Sequence, residues 1–467
     1  MKRLGGLDSL FVTLESPTSL FHVGAVGVFD PSTAPPGSPP PFEGIRRVLE
    51  QRLHLLGPFR QRLVRVPGSL DHPRWIEDPD LDLDNHVLRG ALPAPGGPSE
   101  LADYVSGVMS TPLAPDRPLW EIHIVEGLEG GLVAGVAKIH HAAIDGLSSV
   151  DLTANLMDLK ADAPPAGDAP ARPEAEPEPS GLTLVRDSLL QLGKLVPSAA
   201  ATLGRGALVA ARMGRRNRRP DALAPPSLFH APSTPFSAPL GSRRNVGLVH
   251  LDRDEIEEVR AATGTTFNDV LLTITGGVLR SYLRDHGALP ERQLTAMVPV
   301  SVRDEGTPAD AVNRLSGLIV GLATTIADPV DRLSAVRDGF DQAKEQDAIL
   351  GPDMVGDLCK LALPCVLGPA MGAFTRLGVT QRWPMFNVVV SSFPGSPVPL
   401  FCAGGRMEAY HPFGPVINGA ALNVTAMSYL DRVGIGLLAC KKAAPDIGEM
   451  ADRFPDALTE LLKAVAA

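Results

Sequence analysis

Two adjacent histidines, His140 and His141, stand in the segment VAKIHHAAIDGLSS, and Asp145 and Gly146 follow them closely. An unperturbed imidazole titrates near pH 6.5, so it can take up a proton at neutral pH and return it. Asp145 could orient an imidazole by accepting its other ring N–H, or it could pair with an arginine elsewhere. Gly146 would let the chain turn closely into the next element. The pattern therefore predicts a histidine general base.

The elements around these residues predict a strand–loop–helix junction. Residues 120–125 and 132–140 are typical of the two strands of a β-hairpin, and a helical pattern follows Gly146. Neighbouring side chains of a strand point to opposite faces, so His140 and His141 should not bind one metal ion together. We expect one catalytic imidazole and no metal site. The alternative is a pair of ordinary histidines at a strand end.

Motifs for other transfer chemistries are absent from the chain. It has no G-x-S-x-G turn for a serine nucleophile and no G-x-x-x-x-G-K-[ST] loop for phosphate. A histidine base without its own nucleophile suits direct transfer, in which a deprotonated substrate hydroxyl attacks a thioester carbonyl. The sequence thus favours an acyl-transfer reaction of this kind.

The composition limits where such a protein works. Over 467 residues the net charge is −10, which argues against nucleic-acid binding. No secretory signal and no uninterrupted apolar stretch of roughly 20 residues is present, so we predict no membrane span. Four cysteines without metal-ligand spacing indicate free thiols in a reducing cytosol: Cys359, Cys365, Cys402 and Cys440.

The pattern along the chain predicts a mixed α/β (α+β) protein with three parts. They are an N-terminal domain at 1–160, a linker at 161–240 and a C-terminal domain at 241–467. The first domain should contain a strand at 22–30 and a helix at 42–53. Each domain is expected to have its own mixed sheet with helices, and the sequence has no short-period repeat.

The linker has two kinds of composition. It begins with a stretch rich in Pro, Ala and Glu, which is typical of disorder. A basic helical pattern follows at 181–220, with eight Arg or Lys against one Asp. This helix could lie on an anionic membrane or could connect the domains with a solvated basic face. The apolar stretch at 361–375 is similarly ambiguous between lipid contact and a buried helix.

The segment HHAAIDG resembles the H-H-x-x-x-D-G motif of the CoA-dependent acyltransferase superfamily. The start of the chain, LDSLFVTLESPTSLFHVGAVGVFD, is similar to that of the bacterial wax ester synthase/diacylglycerol acyltransferase family. DRPLWEIHIVEGLEGG, FNDVLL, VPVSVR and the C-terminal block INGAALNVTAMSYLDRVGIGLLACKKAAPD also resemble this family. The resemblance extends over nearly the whole chain except 161–240.

This resemblance implies specific roles for residues of the main motif. His141 would be the base, His140 and Asp145 would support it, and Gly146 would complete the turn. The fold implied is a pair of chloramphenicol-acetyltransferase-like domains joined by the long linker, with a substrate channel between them.

The resemblance also extends to two further motifs. Pro118, Leu119 and Trp120 match the Pro-Leu-Trp segment, although packing in the hairpin is the favoured interpretation. Asn268 and Asp269 match the Asn-Asp motif; Asn268 could contact substrate, whereas capping of a helix N-terminus explains the pair at least as well.

One motif departs from the family. The loop SSFPGS has Ser392 where the family usually has Asn, a difference that could alter substrate choice.

The function implied by the resemblance is an O-acyltransferase. It would transfer a fatty acyl group from acyl-CoA, a co-substrate rather than a bound cofactor, to diacylglycerol or a long-chain alcohol. The products would be triacylglycerols or wax esters. Two alternatives remain open: a same-fold acyltransferase for a natural-product alcohol, and an inactive lipid-binding protein. The apolar substrates imply a cytoplasmic enzyme at the inner membrane face or at lipid inclusions.

Overall fold

The computed structural model describes residues 1–144, 149–164, 177–216, 231–301, 315–350, 361 and 363–467. The strands are β1 (Lys2–Arg3), β2 (His22–Asp30), β3 (Gln61–Val64), β4 (Arg74–Glu77), β5 (Val87–Ala91), β6 (Trp120–Glu126), β7 (Val133–His140), β8 (Arg244–Asp252), β9 (Thr295–Ser301), β10 (Leu315–Gly321), β11 (Val388–Phe393), β12 (Phe401–Cys402), β13 (Gly405–Phe413), β14 (Leu422–Tyr429) and β15 (Arg432–Cys440).

Helices flank these strands along the whole described chain. They are α1 (Gly6–Leu14), α2 (Pro41–Arg52), α3 (Pro98–Ser110), α4 (His141–Ile144), α5 (Ser149–Leu156), α6 (Gly181–Arg216), α7 (Arg253–Thr263), α8 (Phe267–Asp285), α9 (Pro329–Leu350), α10 (Pro364–Arg376), α11 (Val379–Arg382) and α12 (Ile447–Ala466).

Within the described residues the strands form two six-stranded sheets and one three-stranded sheet. The predicted mixed α/β architecture with two sheet-containing domains is thereby confirmed. The first large sheet has the order β12–β13–β2–β7–β6–β5, and the second has the order β10–β9–β11–β14–β15–β8. The small sheet has the order β1–β4–β3.

The first large sheet is built from both ends of the chain. Strand β13 pairs with β2 in antiparallel register, and β12 extends the same edge. The sequence analysis expected each domain to have its own sheet and predicted no strand at 405–413, so the first large sheet departs from that expectation. The alternation of β13 is compatible with either sheet, and the chain alone does not say which edge is free to pair with it.

Strand β15, in the interior of the second large sheet, is almost completely buried. Its eight residues after Arg432 are all buried, and both α12 and β13 pack against it. Such a strand appears in the sequence as a continuous apolar run rather than as an alternation. The segment RVGIGLLAC has this composition.

Arg244 at the start of β8 ties the two halves together. Its side chain is almost fully buried, and its backbone N–H donates to Ser110 Oγ at the end of α3, at 2.8 Å. Its guanidinium group donates to the carbonyl oxygens of Thr18 and Gly241, each at 2.7 Å. A single buried cation therefore fixes the α1–β2 loop against the second half.

Side-chain caps close the N-termini of α7 and α8. At α7 the side chain of Asp252 accepts from the amide of Asp254 at 2.8 Å. At α8 the capping residue is Thr266. Side-chain oxygens thus satisfy amide donors that the first turn of each helix leaves without partners.

The basic helix predicted at 181–220 corresponds to α6. Its first turns pack on the small sheet, where Leu184 is buried with Val64, Val66 and Ile76. Asp187 forms an ion pair with Arg74 at 3.2 Å. These contacts correspond to the interdomain alternative for the start of the helix. Residues 165–176, in the predicted disordered stretch, and 217–230 lie outside the described part.

No described helix combines the length and apolar character that crossing a bilayer requires. The thiols of Cys402 and Cys440 are buried, and that of Cys365 is half-buried; all three are free, while Cys359 lies outside the described residues.

The Pro-Leu-Trp segment is a packing element beneath the hairpin. Trp120 is fully buried, and its indole stacks between Phe59 and His86, with ring centroids at 4.6 and 4.5 Å. The indole N–H donates to the Phe59 carbonyl oxygen at 2.9 Å. Leu119 is buried as well, and its carbonyl oxygen accepts from the amide of His140 at 2.9 Å. The segment therefore supports the end of β7.

We expect Trp120→Ala to lower the free energy of unfolding by about 3–5 kcal/mol, because it leaves a cavity between two rings and an unpaired carbonyl group. Trp383→Ala is the matched control, since Trp383 is 56% exposed, and it should change stability by less than about 0.5 kcal/mol. Urea unfolding followed by circular dichroism measures both variants. Equal losses in the two variants would contradict the packing role.

Candidate active site

The candidate site forms where β7 ends and α4 begins. His140 is the last residue of the strand, and His141 is the first residue of a single helical turn. The backbone N–H of His141 donates to the carbonyl oxygen of Phe21 at 2.8 Å. The backbone N–H of Ala142 donates to Nδ1 of His140 at 3.1 Å. The two histidines therefore differ both in backbone conformation and in hydrogen bonding.

The two imidazoles lie in different environments. His140 is only 1% exposed, whereas the side chain of His141 is half-buried. The ring of Phe11, from α1, lies against His141 with 4.4 Å between ring centroids. Of the two imidazoles, only that of His141 is open to a substrate from outside. It has further interactions beyond these contacts.

Two residues that the sequence analysis did not single out join His140 below the site. His22 lies directly opposite His140 in the β2–β7 register, and both side chains are 1% exposed. Oε1 of Glu15 is 3.7 Å from Nε2 of His22 and 3.7 Å from Nε2 of His140. The sequence places His22 at the start of a predicted strand, but it does not show which residue lies opposite His22 in the sheet.

Burial controls the charge of this cluster. Loss of hydration lowers the pKa of His140 to about 3, and the nearby His141 and Arg65 act in the same direction. Burial, followed by Lys138, His140 and Arg244, holds the pKa of His22 well below its usual value. Both rings are therefore neutral at pH 7.

The carboxyl group of Glu15 responds to burial in the opposite direction. Loss of hydration raises its pKa to about 7, against the opposing charge of Arg65. The carboxyl group is therefore partly protonated at neutral pH, and it faces two uncharged imidazoles.

Asp145 and Gly146, predicted to support the base, lie outside the described residues. Their roles stay predictions.

The Asn-Asp motif lies at the start of α8. Asp269 is buried and completes a capping box: its carboxylate accepts from the amide and hydroxyl of Thr266 at 2.8 and 2.7 Å. The Oδ1 atom of Asn268 accepts from the hydroxyl of Ser392 at 2.5 Å. Ser392, where the family usually has Asn, thus contacts the motif directly. Asp269 is a capping residue here, and Asn268 is half-buried.

Among the described residues, no group of three or more His, Cys, Asp and Glu side chains is arranged so that it could hold a metal ion.

Comparison with known sequences defines the class of protein. Residues 4–271 match the wax ester synthase/diacylglycerol acyltransferase catalytic domain, and residues 312–462 match the C-terminal domain of the same family. The chain belongs to the wax ester synthase/diacylglycerol acyltransferase family, and it is an acyltransferase. The resemblance noted from the motifs is thereby confirmed.

Individual relatives agree with this assignment. A Mycobacterium tuberculosis protein named as a diacylglycerol O-acyltransferase is 35% identical over 99% of this chain and 90% of its own length. A Mycobacterium bovis protein with the same kind of name is 30% identical over 98% of each chain.

Solved structures agree in fold. The wax ester synthase/diacylglycerol acyltransferase from Marinobacter aquaeolei VT8 has a TM-score of 0.71 and 28% identity, with 100% of both chains covered. The first condensation domain of the CDA synthetase has a TM-score of 0.57 at 15% identity, and it covers 100% of this chain and 97% of its own. The second similarity concerns the fold alone.

We predict that His140→Asn reduces the loss of stability on acidification. A buried imidazole with a lowered pKa binds fewer protons in the folded state than in the unfolded state, so stability falls as pH drops below 6.5. Between pH 7 and pH 5 this loss is about 2 kcal/mol for one such group. Asn carries an oxygen close to the position of Nδ1, so the Ala142 hydrogen bond can persist. Urea unfolding at both pH values measures the difference.

His286→Asn is a control with the opposite sign. Hydrogen bonds to the Tyr282 carbonyl and to Asp446 raise the pKa of His286, so its contribution to stability is present at low pH and is lost on alkalinisation. Its replacement should increase the loss on acidification. An unchanged pH dependence in His140→Asn would contradict the burial argument for His140.

Proposed function

We propose that the protein transfers a fatty acyl group from acyl-CoA to the hydroxyl group of diacylglycerol or a long-chain alcohol, with His141 as general base. The observation that carries this proposal is the half-buried imidazole of His141, fixed at its backbone by Phe21 and placed beside a second, buried histidine. The names of the relatives favour diacylglycerol, and the name of the Marinobacter enzyme includes both acceptors.

The proposed reaction needs one proton carrier. His141 takes the proton of the acceptor hydroxyl while the oxygen attacks the thioester carbonyl carbon. When the tetrahedral intermediate collapses, the carbon–sulfur bond breaks and the imidazolium returns the proton to the leaving CoA sulfur. The products are an ester and free CoA, and the enzyme is unchanged. Phe11 places an apolar surface beside the imidazole, which suits an aliphatic substrate.

We expect purified protein to release CoA from palmitoyl-CoA in the presence of dioleoylglycerol or hexadecanol, and to form the corresponding ester. His141→Ala should lower kcat by roughly 10²–10⁴-fold, the usual contribution of a positioned general base. His286→Ala, on the surface, should retain the wild-type rate. Thiol titration of CoA and mass spectrometry of the lipids provide the measurements.

Three outcomes would contradict the proposal in different ways. Release of CoA with neither lipid acceptor but with another alcohol would support the natural-product alternative. Equal ester formation by wild type and His141→Ala would exclude this residue as the base, whereas no ester from wild type with any acceptor would favour a lipid-binding role.

We further propose that the α10–α11 surface places the enzyme on a membrane or lipid inclusion. This surface carries large apolar side chains that are 42–70% exposed: Val366, Phe374, Leu377, Trp383 and Met385. Two arginines lie among them, and residues 363–386 contain no acidic residue. Exposed apolar groups with an aromatic ring and flanking cations fit the boundary of an anionic lipid layer.

The position of this surface also suits a lipid enzyme. Helix α10 packs on α1, where Gly368 lies against Thr13, and α1 carries the Phe11 ring that contacts His141. A lipid layer bound at α10–α11 would therefore lie next to the candidate site, and an apolar acceptor would travel only a short distance through water.

A pair of identical substitutions tests this surface. Leu377 and Leu159 are exposed to the same degree, at 70% and 69%, but only Leu377 belongs to the α10–α11 surface. We expect Leu377→Asp to weaken binding to phosphatidylglycerol-containing vesicles by at least about tenfold. The substitution removes the roughly 1.5–3 kcal/mol gained when the leucine side chain enters the lipid layer, and it adds a negative charge that the anionic lipid repels. Leu159→Asp should bind as wild type does. Vesicle co-sedimentation measures both, and equal affinities would exclude this surface.

A further inference from the structure

The cluster beneath His141 has a geometry that the proposed reaction does not use directly. Glu15, His22 and His140 converge from the end of α1, the start of β2 and the end of β7. The two imidazole rings are 6.2 Å apart between centroids, with an edge-to-face angle of 72°. The carboxyl oxygen Oε1 of Glu15 is equally distant from Nε2 of both.

The hydrogen bond of His140 determines its tautomer. Nδ1 accepts a hydrogen bond from the amide of Ala142, so Nδ1 carries no proton. The ring is neutral because it is buried, and its single proton must then reside on Nε2. Nε2 is the nitrogen that points towards Glu15, and among the described residues it has no hydrogen-bond partner.

The separation between Nε2 and Oε1 suits an indirect contact. At 3.7 Å it exceeds the usual length of a hydrogen bond. A water molecule that bridges several buried polar groups is a common solution to this arrangement. His22 offers two more ring nitrogens without partners in the described chain, so one water molecule could serve Glu15 and both imidazoles.

We propose that Glu15 is a positioning residue for the base: one water molecule accepts a hydrogen bond from Nε2–H of His140 and donates one to the carboxyl group of Glu15, and this link holds the tautomer whose Nδ1 accepts from the Ala142 amide. This inference rests on the proposed function, since His141 is taken as the base. The carboxyl group of Glu15 does not touch the reacting atoms and acts through His140.

The consequence for His141 follows from its place at the start of α4. The first amides of a helix have no partner within it, so acceptors outside the helix orient them: the Phe21 carbonyl for His141 and Nδ1 of His140 for Ala142. The amide that donates to Nδ1 of His140 belongs to Ala142, the residue directly after His141. The backbone N–H of Glu15 also closes α1 by donating to Phe11, whose ring contacts His141. Glu15 thus constrains the base from two sides.

The groups around Glu15 are compatible with its role as a positioning residue at neutral pH. His22 and His140 face it as neutral rings, Arg65 acts on it electrostatically, and Lys138 and Arg244 lie around His22. Lys138 is itself paired with Glu121 at 2.8 Å. A carboxyl group in either protonation state keeps at least one oxygen that can accept, so the tautomer of His140 should not depend on the ionisation of Glu15.

The tautomer is measured by ¹⁵N NMR of histidine-labelled protein, with the His140 signals assigned by their loss in His140→Asn. We expect wild type to carry the His140 proton on Nε2. Glu15→Gln retains an acceptor oxygen and should keep this tautomer and a kcat within about threefold of wild type. Glu15→Ala should admit the Nδ1–H tautomer and lower kcat roughly 10–100-fold, with KM for palmitoyl-CoA nearly unchanged.

Controls separate this inference from the proposed function. Glu43→Ala removes a surface carboxylate that pairs with Arg89, and it should change neither the tautomer nor kcat. A proton on Nδ1 of His140 in wild type would overturn the inference, even if Glu15→Ala failed to fold. So would an unchanged tautomer in folded Glu15→Ala. If His141→Ala kept full activity while the tautomer shifted in Glu15→Ala, His141 would be excluded as the base and Glu15 as its positioning residue, whereas the link between Glu15 and the His140 tautomer would stand.

Discussion

One hydrogen bond, from the Ala142 amide to Nδ1 of His140, is the interaction on which the candidate site depends. It joins a buried strand to a single helical turn, and it requires a neutral imidazole with a free lone pair. Burial supplies that state, since the charged ring would lose its hydration. The Leu119 carbonyl holds the amide of His140, and the Phe21 carbonyl holds that of His141. The base is therefore oriented chiefly by backbone groups.

The two halves of the chain cooperate in keeping this junction rigid. Strand β13 completes the first large sheet beside β2, and Arg244 binds the loop between α1 and β2 to the start of β8. The apolar core is shared accordingly: Val26 and Val136 of the first sheet belong to the same buried cluster as Val424 and Ile435 of the second. A shift of one half against the other would disturb β2, and through it the pair of His22 and His140.

Local signals in the sequence predicted the elements with good accuracy. The strand expected at 22–30 is β2 to the residue, and the helix expected at 42–53 is α2 with a shift of one residue. The hairpin predicted from 120–125 and 132–140 is present as β6 and β7. These successes share a cause: each element is specified by residues within a few positions of one another.

What the sequence determined by itself was the family, several of the helices and strands, and the pair of histidines at a strand end, because motifs and periodicity are properties of neighbouring residues. Only the tertiary structure decided that β13 belongs to the first sheet, that His22 faces His140, and that Glu15 reaches both. It also decided which histidine is buried, and hence the tautomer of His140. These features depend on contacts between distant segments, and on the loss of water that those contacts cause, which no local pattern encodes.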